Sequence, residues 1–441
     1  MAMFENPAIK QYNNEEYGIY LVIYKLKQIV SNFKEKQELI DFQSALFNDQ
    51  VMKMEFTNDI TNPLFGGKII FADINFNTLN RISGDGTCFI EIKIEKFNKK
   101  DPESIGEQEY VFQHMFTIVD CKQLEIKQNT GYYEVNFLTS NYFTLNNNIQ
   151  YASNGKQKYS TIIADIINNS GLKFSNNRNV VINNEEQYIS NTSFTTIDNV
   201  NFLLNAYTDN NVGIAFFIFD HIDNSYDIIS FKNEIQKIKD GIISIPHSNK
   251  FFIPTDKNAG NAKNSAISIS QTNYNNIDTM NLHKSIIFNQ FNYLGRSWKQ
   301  IKYEHSDVID TVGIVQSYEY DISLKQQEYI KADINNFKKE YIVRNEQDFS
   351  KEMKKLFLLT NTIEFNCYGD FQRNVGQLIQ LFPEADDKLS DKFSGIWYIT
   401  RIFHIFENKF FKNIIQACRL DEKTVATTTS NIKINNIAQN E

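Results

Sequence analysis

The chain reads as a β-rich α+β protein with two antiparallel β-barrels, an α+β middle domain and an N-terminal helical segment. Three observations lead to that class. Apolar/polar alternation with period 2, rich in β-branched and aromatic residues, dominates Met52–Leu145 and Thr362–Asp421. Spacings of three and four are clearest in Gln150–Phe231, with a second instance in the first fifty residues. Apolar residues form 41% of the 441 and charged residues 22%, which allows more than one core.

Residues 1–50 are an N-terminal helical extension. Leu26, Ile29, Val30 and Phe33 recur at i, i+3, i+4 and i+7 ahead of the polar run Lys34–Glu38, so a helix is expected between Tyr20 and Phe47. Tyr20–Tyr24 reads equally as a strand. Residues 51–149 form the first barrel, with strands expected at Lys68–Phe76, Thr87–Phe97, Tyr110–Val119, Cys121–Lys127 and Tyr132–Leu138. Turn chemistry at Gly84-Asp85-Gly86, Asn98–Pro102 and Asn129-Thr130-Gly131 separates them, and hairpin connections predict a closed or nearly closed antiparallel barrel.

Residues 150–240 are the middle domain. Tyr159, Ile162, Ile163, Ile166 and Ile167 mark one amphipathic helix, with Gly171 at its C-terminal cap. Ile197, Val200, Leu203, Leu204 and Tyr207 mark a second, with Thr195 or Thr196 as N-cap. A hairpin follows, Val212–Phe219 and Tyr226–Phe231, turning at Asp223-Asn224-Ser225, with both helices expected on one sheet face.

Residues 241–357 are a strand-rich and loop region. Ser265–Asp278, rich in Asn and Ser, reads as an exposed loop. Phe288–Tyr303 and Val312–Leu324 read as strands, and Phe349, Met353 and Leu356 or Phe357 suit a helix. Residues 358–424 form the second barrel and 425–441 a tail. In the barrel, Ile363, Phe365 and Cys367 alternate with polar neighbours, Val375–Phe382 follows, and Trp397–Phe406 is apolar on both faces. Glu407-Asn408-Lys409 turns the chain into Phe410–Leu420. A strand apolar on both faces must be covered on both sides.

The run Gly369-Asp370-Phe371-Gln372-Arg373-Asn374-Val375-Gly376-Gln377-Leu378-Ile379, then Ser394-Gly395-Ile396-Trp397-Tyr398-Ile399-Thr400-Arg401-Ile402 and His404, resembles the C-terminal part of tail or baseplate hub proteins. These belong to contractile-tailed bacteriophages and related injection machines, including the hub part of type VI secretion spike proteins. The resemblance is specific over that stretch, looser over Gln150–Phe231 and weak elsewhere.

It implies two tube-type barrels per chain, and interleaved parts of the middle and second-barrel domains within 241–357. It also implies a homotrimeric ring that adapts a sixfold tail tube protein to a threefold central spike protein in the virion tail or baseplate. A tape measure protein and baseplate wedge proteins are further candidate partners, and DNA passes only transiently through the channel. Gly369, Arg373, Gly376, Gly395, Trp397, Arg401 and His404 are the motif and interface candidates that follow from it.

The net charge of −8 argues against binding nucleic acid through its phosphates, and suits a surface past which DNA slides. Cys88, Cys121, Cys367 and Cys418 are far apart with no CxxC pair, and free thiols in a reducing cytoplasm are expected. No secretory signal or membrane span is legible, and a soluble protein is expected.

The six histidines show no metal-ligand spacing, and no phosphate loop, nucleophile elbow or activated cysteine is present. No cofactor, metal or catalytic residue is expected. His404 reads as a packed strand histidine with a backbone partner, or as a metal ligand or a pH-sensitive interface residue. Arg373 and Arg401 read as buried or intersubunit ion-pair partners, or as exposed strand arginines. Asp386-Asp387, with Glu384 and Asp391, could bind calcium or supply a glycosidase carboxylate, but lack calcium-ligand spacing and a bracketing apolar site, and read as a solvated loop. The competing functions are a tail-associated cell-wall hydrolase and a host-surface-binding β-protein.

Overall fold

A computed structural model of the chain describes residues 9–418, apart from 13–14, 27–39, 47–49, 75–77, 79–81, 83–86, 99–106, 176–184, 207–214, 231–232, 235–236, 238–239, 242–243, 254–263, 272–284, 293–296, 305–337, 343–361, 384–392 and 408–409. The N-terminal half contributes β1 (Ile9–Tyr12), β2 (Glu15–Leu26), β3 (Ile40–Leu46), β4 (Val51–Asp59), β5 (Asn62–Ile74), β6 (Cys88–Asn98), β7 (Glu107–Lys127) and β8 (Thr130–Thr139). The middle contains α1 (Tyr142–Asn146), β9 (Gln157–Lys158), α2 (Tyr159–Asn169), β10 (Glu185–Glu186), α3 (Thr196–Ala206), β11 (Ala215–Asp220) and β12 (Ser225–Ser230). The remainder comprises β13 (Lys250–Ile253), β14 (Ile267–Gln271), β15 (Ser285–Asn292), β16 (Ser297–Glu304), β17 (Lys338–Ile342), β18 (Thr362–Tyr368), β19 (Leu378–Pro383), β20 (Gly395–Glu407) and β21 (Phe410–Cys418).

Fourteen of these strands share one large, mainly antiparallel sheet, ordered β1-β2-β6-β7-β8-β5-β4-β20-β21-β18-β14, with β3 on β2, β19 on β20 and β13 on β19. The seam is β4 against β20, where Arg401 to Glu407 run antiparallel to Asp59 to Lys53. Among the described residues β4 therefore pairs onward into the C-terminal half and not back to β2. At the far end Phe252 N–H donates to Asn264 O and Ala266 N–H to Phe252 O, both at 2.8 Å. That ties β13 to the residues preceding β14, so the C-terminal run of paired strands comes back on itself.

The alternation seen in the sequence puts one side of each strand into a core. On β8 the buried residues Tyr133, Val135 and Phe137 alternate with half-buried neighbours, and on β18 Ile363, Phe365 and Cys367 do the same. Two cores result. The first joins the N-terminal sheet to α2 and α3, through Ile162, Ile163, Ile166, Ile167, Val200, Leu203 and Leu204. The second fills the C-terminal sheet around Trp397, Tyr398, Ile379 and Ile415. The β11–β12 hairpin lies between them. Phe217, Phe219 and Ile228 belong to the first core, and Phe216, Ile218 and Ile229 to the second. Both faces of the hairpin are consequently buried, which explains the nearly unbroken apolar sequence of β11; β12 buries Ser225, Asp227 and Ser230 beside its apolar residues.

Several expectations change in detail. Tyr20–Tyr24 is strand, within β2, and β2 and β3 join the large sheet; the helix expected over Ile29–Phe33 lies outside the described residues. Two strands expected at Tyr110–Val119 and Cys121–Lys127 are the single β7, interrupted by register shifts at Ile118/Asp120 and Gln123/Glu125 that scramble its period. Ser265–Gln271 is not an exposed loop, because Ser265 and Ala266 are buried and β14 pairs with β18. Val312–Leu324, Phe349–Phe357 and the acidic run Glu384–Asp391 lie outside the described residues.

The helices of the middle domain start and stop as their sequence dictates. Thr195 Oγ1 accepts from Asp198 N–H at 3.1 Å while Asp198 Oδ2 accepts from Thr195 N–H at 3.1 Å, a reciprocal cap on α3. Gly171 follows α2 with φ +75°, the left-handed conformation that ends a helix.

Candidate functional site

Residues Gly369–Gly376 connect β18 to β19 and touch both cores, the hairpin and the seam strands. Gly369 N–H donates to Phe411 O at 2.9 Å, and its bare Cα faces the Phe411 ring so closely that a Cβ would sit 2.3 Å from it. Phe371 enters the first core, with ring centroids 4.5 Å from Phe112, 4.5 Å from His404 and 5.2 Å from Phe56. Val375 turns the other way, into the second core. Gly376 has φ +78° and lies against Ile229, where a Cβ would meet Cδ1 at 2.5 Å. This is a position only glycine fills without strain.

Polar side chains fasten the loop. Arg373 is 3% exposed. Its Nη2 donates to Ser248 O at 2.9 Å and its Nη1 to Asn413 Oδ1 at 2.8 Å and to Tyr368 O, while the guanidinium lies over the Phe251 ring at 5.0 Å. All of these acceptors are neutral. Asn374 Nδ2 donates to Asp220 Oδ1 at 2.9 Å, and its Oδ1 accepts from Asn58 Nδ2 at 2.6 Å. Asn58 in turn donates to Phe219 O. The loop, the hairpin and β4 are thus tied by side chains that would be costly to bury unpaired.

Three histidines meet behind Phe371, one each from β7, the end of the hairpin strand β11 and β20. His114 Nε2 lies 2.8 Å from His221 O, and His221 Nε2 lies 2.7 Å from Phe371 O. The His221 and His404 rings are 5.3 Å apart. Burial pushes the His114 imidazole down to about 4. Burial also lowers His221, and for His404 burial is joined by the neighbouring His221 and Arg373. All three are neutral members of an aromatic core: His221 stacks on Phe65, His114 packs tilted against Phe112, and His404 packs tilted against Phe371.

Of the residues singled out from sequence, Gly369, Arg373, Gly376 and His404 come together at this joint. Gly395 opens β20 with φ +117°, opposite Leu381, and Trp397 is buried in the second core with Nε1–H donating to Phe393 O at 2.8 Å. Arg401 lies on the solvent side of the seam and pairs with Asp59, whose Oδ1 accepts from Thr61. Sequence reasoning missed Phe371, Asn413, His114 and His221. Asn413 carried a signal, being the one polar residue in the inward series Phe411, Asn413, Ile415, Ala417 of β21. Among the described residues no three His, Cys, Asp or Glu side chains are grouped to hold a metal ion, and no helix is long and apolar enough to cross a membrane.

The fold with this sheet and its packed helices is similar to that of a tail protein from Neisseria meningitidis MC58. That structure is 9% identical with a TM-score of 0.50, covering 91% of this chain and 97% of the other. The fold is one seen in phage tail proteins. The 43 kDa tail protein of prophage MuSo2 from Shewanella oneidensis matches similarly, at 10% identity and TM-score 0.50, over 91% of this chain and 98% of its own. A chain of the lidded Francisella PdpA-VgrG complex aligns at 11% identity and TM-score 0.47, over 93% of this chain and 53% of that one. No protein-family model matches the sequence, and no curated protein matches it significantly.

Proposed function

We propose that the chain is a structural hub of a phage tail or phage-like injection machine. Three copies close into a ring that joins a sixfold tail tube to a threefold central spike. The observation that carries this reading is the β4–β20 seam, which sets an N-terminal and a C-terminal β-module side by side in one sheet. In this reading each module is a tube-type barrel. A threefold ring of such chains presents six similar modules and meets a sixfold partner without changing subunit shape.

The solvent side of the sheet supports the same reading. Lys53 and Lys68 approach Glu55, Lys68 also approaches Glu134, Lys93 pairs with Glu95 and Arg401 with Asp59. Cations already matched to carboxylates offer little to a phosphate backbone, which is held by releasing counterions to unmatched Lys and Arg. A surface of that kind lets a polyanion pass.

Light scattering and negative-stain microscopy of the purified full chain test the proposal. A mass of three chains and ring-shaped particles are expected. A chain that stays monomeric at every concentration and cleaves peptidoglycan, or binds isolated envelope, overturns it in favour of a hydrolase or an adhesin.

A further inference from the structure

Asn413 is the place where the joint and the histidines exchange information. Its side chain is fully buried. Its Oδ1 accepts two hydrogen bonds, from Asp370 N–H at 2.8 Å and from Arg373 Nη1 at 2.8 Å. Those two donors fix the amide's orientation, because neither can be satisfied by an NH2 group. Nδ2 is therefore the end that faces His404 Nδ1, at 2.8 Å, and it donates. His404 must present a bare lone pair at Nδ1 and carry its proton on Nε2.

A second proton on His404 has one place to go, Nδ1. Two N–H donors then face each other at 2.8 Å, and the pair becomes favourable again when the amide turns its oxygen toward the imidazolium. That turn takes the acceptor away from Asp370 N–H and Arg373, which hold the Gly369–Gly376 loop. We infer that Asn413 is a proton-sensitive toggle: it fastens the loop only while His404 Nδ1 is unprotonated, and acid releases the loop and uncouples the two cores.

The charged and titratable groups around His404 set where this happens. The loop brings Arg373 and the hairpin brings His221, which is itself influenced by Asp220 and Asp370 and has His114 behind it on β7. The facing residues on β4 and β21, Phe56 and Asn413, are uncharged. Burial, Arg373 and His221 oppose protonation of His404, so the loop stays fastened at neutral pH and opens on the acid side. The device belongs to a single chain and holds whether or not three chains form a ring.

Hydrogen–deuterium exchange of the full chain over pH 7.5 to 4, corrected for intrinsic rates, tests it. In the wild type the peptide containing Asp370 is expected to lose protection at least tenfold at a pH where β18 and β21 keep theirs. His404→Phe, which cannot take the proton, should keep the loop protected at that pH. Asn413→Asp should do the same, since a carboxylate accepts from Asp370 N–H, Arg373 and a protonated His404 together. Loop and strands opening at one pH in the wild type overturns the inference, as does an unchanged opening pH in the phenylalanine variant. Should that variant fail to fold, an unchanged opening pH in Asn413→Asp overturns it instead.

Discussion

Arg373 is the most exacting residue of the joint, because a buried guanidinium here is stabilised by neutral acceptors and a ring face in place of a carboxylate. Arg373→Met leaves Ser248 O and Tyr368 O without their donor and is expected to cost about 3 kcal/mol or more. Arg373→Lys keeps the charge but cannot fork to several acceptors, and most of that loss should persist. Denaturant midpoints of the two variants check both statements. The histidines give a second prediction. His114 is held neutral, with its imidazole lowered to about 4 in the fold. A lowered folded-state value means the unfolded chain binds the proton first. The stabilisation is therefore full above about pH 6.5 and is lost as pH falls toward 4, on the order of 3 kcal/mol for this one group. Unfolding free energies at pH 7.5 and 5 should differ by a large part of that amount, and His114→Phe should flatten the dependence.

Among the elements, β4 and β5 approach each other so tightly that Gly67 has no room for a side chain, since a Cβ would lie 1.9 Å from Glu55 O. Gly67→Ala must push the ladder apart and is expected to destabilise the protein more than Thr195→Ala, which removes the reciprocal cap on α3 and costs about 1 kcal/mol. Thermal unfolding of the pair shows the order. Elements of this kind were well exposed to sequence reasoning where their cause is local. The alternation in β8 and β18, the apolar face of α2, the Thr195 cap and the turn at Asn224, with φ +50°, all follow from neighbours in the chain. What stayed hidden has distant causes. The two register shifts in β7 break its period, so one strand reads as two. β2 is recruited by β6, sixty or more residues away, and carries β1 and β3 with it, and β14 is recruited by β18. His404 was legible as an inward strand residue, but its companions His114 and His221 come from other elements, and no spacing announces them.

At the scale of the whole molecule, the hairpin with a core on each face and the β4–β20 seam make the two halves depend on each other. Arg401→Ala removes a half-exposed ion pair and should cost less than about 1 kcal/mol, measured by the same denaturant titrations. Removing β20 itself is a different matter, because it strips β4 of one of its two neighbours along seven residues from Lys53 to Asp59. The seam also has a bearing on how the protein is made. Asp59 and Arg401 stand 342 positions apart, and at about 5–20 residues per second a ribosome delivers the second roughly 20–70 s after the first. For that interval the nascent chain carries an unzipped edge whose complement has yet to be synthesised, the kind of edge that invites pairing with a neighbouring nascent chain on the same messenger. Translation that stops before β20 should therefore yield sticky, insoluble fragments, and high expression should call on chaperones that shield the N-terminal half until the last strands emerge.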